Sequence, residues 1–231
     1  MIATVASVAL VLGTTFVLAD EPERPKAAQD WPLAAVSTFD SHGLEGWVFT
    51  DPNAWRITEV DGQKVLEQHS GSDYQPEVRS PLNIALMEHL WLGSFVMDLD
   101  VRSTTRDYGH RDLCLFFGHQ DPSHFYYVHL GKEADPHAHS IFLVNGEPRV
   151  SIAKERTEGT PWTDGWHHVR LFRNVGDGTI RVYFDDMERP IMTTVDQTFG
   201  AGRIGVGSFD DSGQFRNIRI WGQKAGQPAE E

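Results

Sequence analysis

The sequence predicts an all-β fold, an antiparallel sandwich of two curved sheets, and three observations carry that prediction. Short runs rich in β-branched and aromatic residues recur from Trp55 to Trp221. Turn dipeptides of the hairpin type separate these runs. Between the two ends, no segment repeats apolar residues at helical spacing for long enough to make an amphipathic helix.

The elements follow in chain order. Ile2 to Ala19, IATVASVALVLGTTFVLA, is an uncharged apolar run followed by the charged, proline-rich DEPERPK. Small residues at its end suit cleavage after Ala19, so 1–19 is expected to be a signal peptide and the protein to be exported, periplasmic or extracellular. An uncleaved membrane anchor is the rival, since such a run is just long enough to span a bilayer. Residues 20–31 are expected as a linker, 32–222 as the folded domain, and 223–231 as a flexible tail.

WRITEVDGQKVLEQ, 55–68, reads as a hairpin about Asp61–Gly62. GSFVMDLDVRS, 93–103, alternates: Phe95, Met97, Leu99 and Val101 share one face, and Val96, Asp98, Asp100 and Arg102 the other. DLCLFFG and HFYYVHLG follow, separated by HQDPS. SIFLVNGEPRVSIA turns at Asn145–Gly146, and WHHVRLFRNVGDGTIRVYFDD at Gly176–Gly178. His167 and His168 open that strand, one inward and one outward. GRIGVGSFDDSGQFRNIRIWG supplies the last two strands. NVGDG and SFDDSG look superficially like calcium loops but are read as turns, because Gly and Asp supply the φ values that turns need.

The 231 residues carry a formal charge of −13. A chain this acidic, without a basic patch, is a poor partner for nucleic acid or an anionic membrane, so neither is expected once the signal is removed. The single cysteine, Cys114, permits no intrachain disulfide, and its apolar setting predicts a buried, inert thiol.

On these residues the chain resembles the concanavalin A-like lectin/glucanase superfamily of jelly-roll sandwiches. WHHVRLFRNVGDGTIRVYFDD resembles the central hairpin of that superfamily, and GRIGVGSFDDSGQFRNIRIW its closing strands. LFFGHQDPSHFYYVHLG resembles paired strands of laminin-G-like modules and of 3-keto-disaccharide hydrolases. FVMDLDVRS resembles an early strand of the latter, with Asp100 two residues before Arg102. The resemblance implies an antiparallel jelly-roll β-sandwich and a carbohydrate partner, and leaves lectin, hydrolase, lyase and protein-binding roles open. The carboxylate motif of the superfamily's retaining glucanases is absent. Asp98 and Asp100 share a face about 6.5 Å apart along the strand, as an acidic stripe neutralised by Arg102.

His124 to Phe142, HFYYVHLGKEADPHAHSIF, holds four His, two Tyr, a Lys, a Glu and an Asp. If Val128 and Leu130 face the core, Phe125, Tyr127 and His129 face the other way, toward an open groove where sugar rings stack on aromatics. In a binding site, Phe125 and Tyr127 would stack while His119, Gln120, Asp135 and Arg111 hydrogen-bond hydroxyls. In a catalytic site, His129 or Tyr127 would move a proton, Lys132 or Arg102 would stabilise negative charge, and Glu133 or Asp100 would complete the set. Asp135, His137 and His139 are a candidate metal group. Alternatively these His and Tyr only pin the loop to the sheet edge. No cofactor is expected except a calcium ion, with Asp40 its candidate ligand. The expectation is a monomeric carbohydrate-recognition domain. The alternatives are a glycan-cleaving hydrolase or lyase, and a laminin-G-like protein-interaction module.

Overall fold

A computed structural model describes residues 23–226. The expected signal peptide, 1–19, and the end of the expected tail, 227–231, lie outside the described residues. The fold is an antiparallel jelly-roll β-sandwich. Its strands are β1 (Leu33–Ser37), β2 (Trp47–Phe49), β3 (Trp55–Val60), β4 (Gln63–Gln68), β5 (Asn83–Ser103), β6 (Cys114–Asp121), β7 (His124–His129) and β8 (Ser140–Asn145). They continue as β9 (Val150–Ser151), β10 (Glu155–Arg156), β11 (His167–Arg173), β12 (Thr179–Phe184), β13 (Met192–Val195), β14 (Gly202–Ser208) and β15 (Gly213–Lys224).

The 21-residue β5 ties the two layers into one hydrogen-bonded ladder. Its first half pairs with β2 and β14, and β14 leads on through β6, β7, β8 and β9 to form the first sheet. Its second half pairs with β11 and β15, and the second sheet extends from there to β12, β13 and β10 on one side and to β1, β4 and β3 on the other. Tight turns follow the sequence. Asp61 and Gly62 both have positive φ, 52° and 77°, as a type I′ turn requires.

Alternation along each strand fills the layer between the sheets. Phe95, Met97, Leu99 and Val101 from β5 meet Leu115, Phe117, Tyr126 and Val128 from β6 and β7 there. Residues of opposite parity face outward, as the sequence predicts. On the second sheet most are polar or charged, beside a small apolar patch of Val96, Phe172 and Trp221. On the first they form a further apolar layer: Phe116, Phe125, Tyr127 and Phe142, with Ile84 and Leu86, all buried. Each such side chain removed from water stabilises the fold by about 1.5–3 kcal/mol, so this outer layer is structural. Val48 and Val78 pack against it. The irregular segment carrying Val78 is held down where Leu82 N–H donates to Phe209 C=O and Arg149 N–H to Arg79 C=O.

Two expectations about the ends change. Residues 23–31 do not run free as a linker. Lys26–Ala28 form a 3-10 turn, Ala28 is buried, and Trp31 stacks on Phe172 at a centroid distance of 6.0 Å. β15 extends to Lys224, two residues into the expected tail.

Candidate functional site

The strand pairing decides which candidate residues meet. Cys114 at the start of β6 lies directly opposite His129 at the end of β7. Cross-strand partners point to the same face, so both join Phe116 and Tyr127 on the outer side of the first sheet. β14 runs beside them, and a Cβ on Gly207 would sit 1.9 Å from the Asn83 carbonyl oxygen and 3.0 Å from the Phe116 ring. Only glycine lets the strands approach this closely around Phe116.

At this end of the sheet a cavity of about 210 Å³ opens to solvent. Buried Asp112 and His129 form its floor, Phe209 and Arg149 its wall, and exposed Arg79, His137 and Asp210 its rim. The Arg149 guanidinium carbon lies 4.0 Å over the Phe209 ring centre. One Arg149 nitrogen donates to the Tyr127 hydroxyl, another to the His137 carbonyl at 2.9 Å, and its Nε is buried without a partner. His129 Nδ1 bonds the His137 carbonyl at 3.0 Å and must carry the proton, because a carbonyl only accepts. His129 Nε2 then faces Asp112 Oδ2 at 3.2 Å, outside hydrogen-bonding geometry, and has no partner; Asp112 Oδ1 has none either. Cys114 Sγ lies 3.4 Å from Asp112 Oδ2, and burial pushes the thiol well above its usual range.

The turn SFDDSG delivers two more carboxylates. An oxygen from each of Asp112, Asp210 and Asp211 falls within 4.8 Å of the others. Burial and the neighbouring Asp112 charge push Asp211 up to about 6. Both of its oxygens are engaged, one by the Tyr108 hydroxyl at 2.8 Å and the other by Asp112 N–H at 2.9 Å.

The sequence-predicted residues scatter relative to this pocket. The groove expected over Phe125 and Tyr127 is covered: both rings are fully buried, so neither offers a face to a sugar from solvent. His119 stacks on Phe125 at 5.1 Å, and burial holds it down to about 3, an uncharged packing group. Gln120 is exposed at the far end of β6. Arg111 is an internal clamp rather than a sugar ligand. It is 2% exposed and donates to Ser103 Oγ, to the Ser103 and Thr163 carbonyls and to Asp164. Lys132 pairs with Asp107, and Glu133 is exposed beside Gly109.

Asp100 and Arg102 lie on the opposite outer face, away from His129. There Asp98 accepts two bonds from Arg170, both at 2.7 Å, and Asp100 accepts from Asn217 and His168. The bonds to Asp100 and Asp98 raise His168 to about 9. Arg102 bonds Gln214 and lies over Trp166. The acidic stripe is thus neutralised by Arg170, His168 and Arg216, not by Arg102. A cavity of about 560 Å³ on this face is bordered by Arg24 to Ala27, with the Asp98–Arg170 pair and His168 in its lining.

The expected Asp135–His137–His139 metal group does not form. His139 is fully buried, and its two ring nitrogens lie 3.0 and 2.9 Å from the hydroxyls of Thr160 and Thr157. Asp135 is occupied by the N–H groups of His137 and Ala138 and by His110 Nε2 at 2.8 Å. Asp40 is exposed and belongs to no ligand cluster among the described residues. Of the predicted set, His129 and His137 reach the pocket directly and Tyr127 through Arg149. Asp112, Arg149, Phe209 and Asp210 were missed. The available signal was Asp112, two residues before a cysteine that strand pairing sets against His129.

No protein-family model and no curated protein matches the sequence. Solved structures do match in fold. The carbohydrate-binding module CBM66 from Bacillus subtilis superposes with a TM-score of 0.55 at 16% identity, over 76% of this chain and 95% of that one. Domain 4 of AbnA, a GH43 extracellular arabinanase from Geobacillus stearothermophilus solved with arabinotriose, gives 0.54 at 14% identity, over 85% and 95%. The carbohydrate recognition domain of Emp47p gives 0.53 at 13% identity, over 84% and 96%. At these identities the likeness establishes the β-sandwich fold.

Proposed function

We propose that this is an exported carbohydrate-recognition domain that holds a single terminal sugar residue in the pocket above His129. The observation that carries the proposal is the composition of the rim. Donors on Arg79 and His137 and an acceptor on Asp210 stand around one small cavity, beside an aromatic wall. Sugar hydroxyls both donate and accept, so a site for them needs both kinds of group at close quarters. At about 210 Å³ the cavity is smaller than the ~300–1,000 Å³ of sites for drug-sized ligands, which suits one ring better than a chain segment. The names of the fold neighbours, two of them carbohydrate-binding or carbohydrate-recognition units, support the same partner class.

Asp211, pushed up to about 6, does not line the cavity and has both oxygens committed to Tyr108 and Asp112. Asp210, also raised by burial, is the raised acid that reaches the cavity, and a degradation screen separates binding from cleavage. A general acid needs a proton free to reach the substrate. The test is a glycan array and polysaccharide-degradation screen on residues 20–231, repeated with Asp210→Ala and with His137→Ala. Binding that falls at least tenfold in both variants, with no product released, supports the proposal. Unchanged binding in both would move the site elsewhere on the molecule.

A further inference from the structure

We propose that Asp112, Cys114 and His129 form a binding site for one zinc-type divalent cation in the pocket floor. The three residues bring a carboxylate oxygen, a thiol sulfur and an imidazole nitrogen within 4.8 Å of one another. Tetrahedral zinc ligands at 2.0–2.3 Å from the metal lie about 3.3–3.7 Å apart. The separations here are 3.2 Å from His129 Nε2 to Asp112 Oδ2 and 3.4 Å from Cys114 Sγ to the same oxygen. This spacing is set by the fold, since Cys114 and His129 are strand partners and Asp112 lies two residues before Cys114.

A second observation points to a ligand independently of the spacing. His129 Nε2 and Asp112 Oδ1 are buried polar atoms with no hydrogen-bond partner, on residues 4% and 1% exposed. Such orphaned atoms cost free energy unless something fills the gap. A cation held by Nε2, Asp112 Oδ2 and the sulfur gives the orphaned Nε2 a partner and replaces the bond that the Cys114 thiol donates to that oxygen. The outer hydrogen bonds also suit a metal site. His129 donates Nδ1–H to the His137 carbonyl at 3.0 Å, the arrangement that fixes a ligating tautomer, and Asp112 Oδ2 accepts Phe209 N–H at 2.9 Å.

The sulfur selects the ion. Calcium and magnesium take oxygen ligands, whereas thiolate with imidazole suits zinc or cobalt. On binding, the Cys114 S–H bond breaks, the sulfur keeps the electron pair and bonds the cation, and the proton leaves to solvent. The nearby Asp210 offsets the charge of Arg149. The fourth coordination position would face the cavity. The proposal does not depend on the glycan reading, although it concerns the same pocket.

The test uses the full chain, reduced, chelator-treated and without glycan, titrated with Co²⁺ and then Zn²⁺. One equivalent of Co²⁺ should produce a near-ultraviolet sulfur-to-cobalt charge-transfer band, which Zn²⁺ removes, and either ion should raise Tm. Cys114→Ser should lose the band and bind Zn²⁺ at least tenfold more weakly. If that variant fails to fold, the wild-type band decides alone. Absence of the band at millimolar Co²⁺ overturns the proposal, as does an equal Tm rise in Cys114→Ser. Glycan binding measured with and without chelator separates the two readings, because a failed metal titration leaves the rim site untouched.

Discussion

The guanidinium carbon of Arg149 lies over Phe209, 4.0 Å from the ring centre, and the side chain also bonds the hydroxyl of buried Tyr127. One side chain thus joins β9's approach, the SFDDSG turn and the outer aromatic layer. Lysine cannot reproduce this, having neither a planar face nor donors in two directions. Arg149→Lys should weaken glycan binding at least tenfold. It should also lower stability by about 1–2 kcal/mol through the orphaned Tyr127 hydroxyl, while the His137 carbonyl keeps its bond from His129. Calorimetric titration and urea unfolding read the two effects separately; wild-type affinity in the variant would remove Arg149 from the site.

Stability should peak near pH 6.5, because the perturbed histidines act in opposite directions. Burial lowers His119 to about 3 and His139 to about 4. Below the unfolded value of about 6.5 the unfolded chain takes up protons that these folded residues refuse, so stability falls as pH drops toward those values. His168 is raised to about 9 by Asp100 and Asp98. Its contribution is complete below about 6.5 and is lost as pH rises through 9. Being partly exposed, His168 gives the shallower limb. His168→Gln should flatten that limb and leave the acidic one unchanged in a Tm-against-pH series. A flat wild-type profile from pH 6.5 to 9.5 would contradict the paired geometry.

The fold was legible because alternation and turn chemistry are local. Parity on HFYYVHLG put Val128 inside and Tyr127 outside, and both positions hold. What parity could not convey is whether an outward face meets water. Phe125 and Tyr127 do point out of the sandwich, but a segment without regular structure, around Val78, covers them. A strand-period argument contains no information about such a segment. The first half of β5, Asn83–Leu92, was missed for a related reason: it is apolar on both faces, so its period is hidden. The pocket floor needed strand register, because Cys114 and His129 are adjacent only once β6 and β7 are paired. His139 misled because ligating and core histidines look alike in sequence; its positive φ of 49° and its two hydroxyl partners are tertiary facts.

Arg111 should prove among the more sensitive positions in the domain. Its guanidinium gathers two carbonyls, a hydroxyl and a carboxylate, joining the end of β5 to the loop before β11. Arg111→Met keeps much of the volume but leaves the Ser103 and Thr163 carbonyls without this donor. A loss of about 3–5 kcal/mol is expected, within the range for breaking a buried polar cluster. Denaturant unfolding measures it, and a loss under 1 kcal/mol would show that water replaces the guanidinium.

The segment before β1 should behave as part of the domain. Trp31 stacks on Phe172, and Ala28 fills a buried site beside Val96 and Trp221 on the outer face of the second sheet. The turn is held by Ala28 N–H to Pro25 C=O at 2.9 Å and Trp31 N–H to Ala28 C=O at 3.0 Å. A short segment with so few contacts opens more readily than the core it covers. Trp31→Ala should therefore cost about 1–3 kcal/mol, mostly in lost aromatic burial, and should expose Arg24 and Lys26 to trypsin while the sandwich stays intact. Limited proteolysis followed by mass spectrometry checks this. Cleavage at Lys26 that is equally fast in wild type and variant would mean that the segment is not docked in solution.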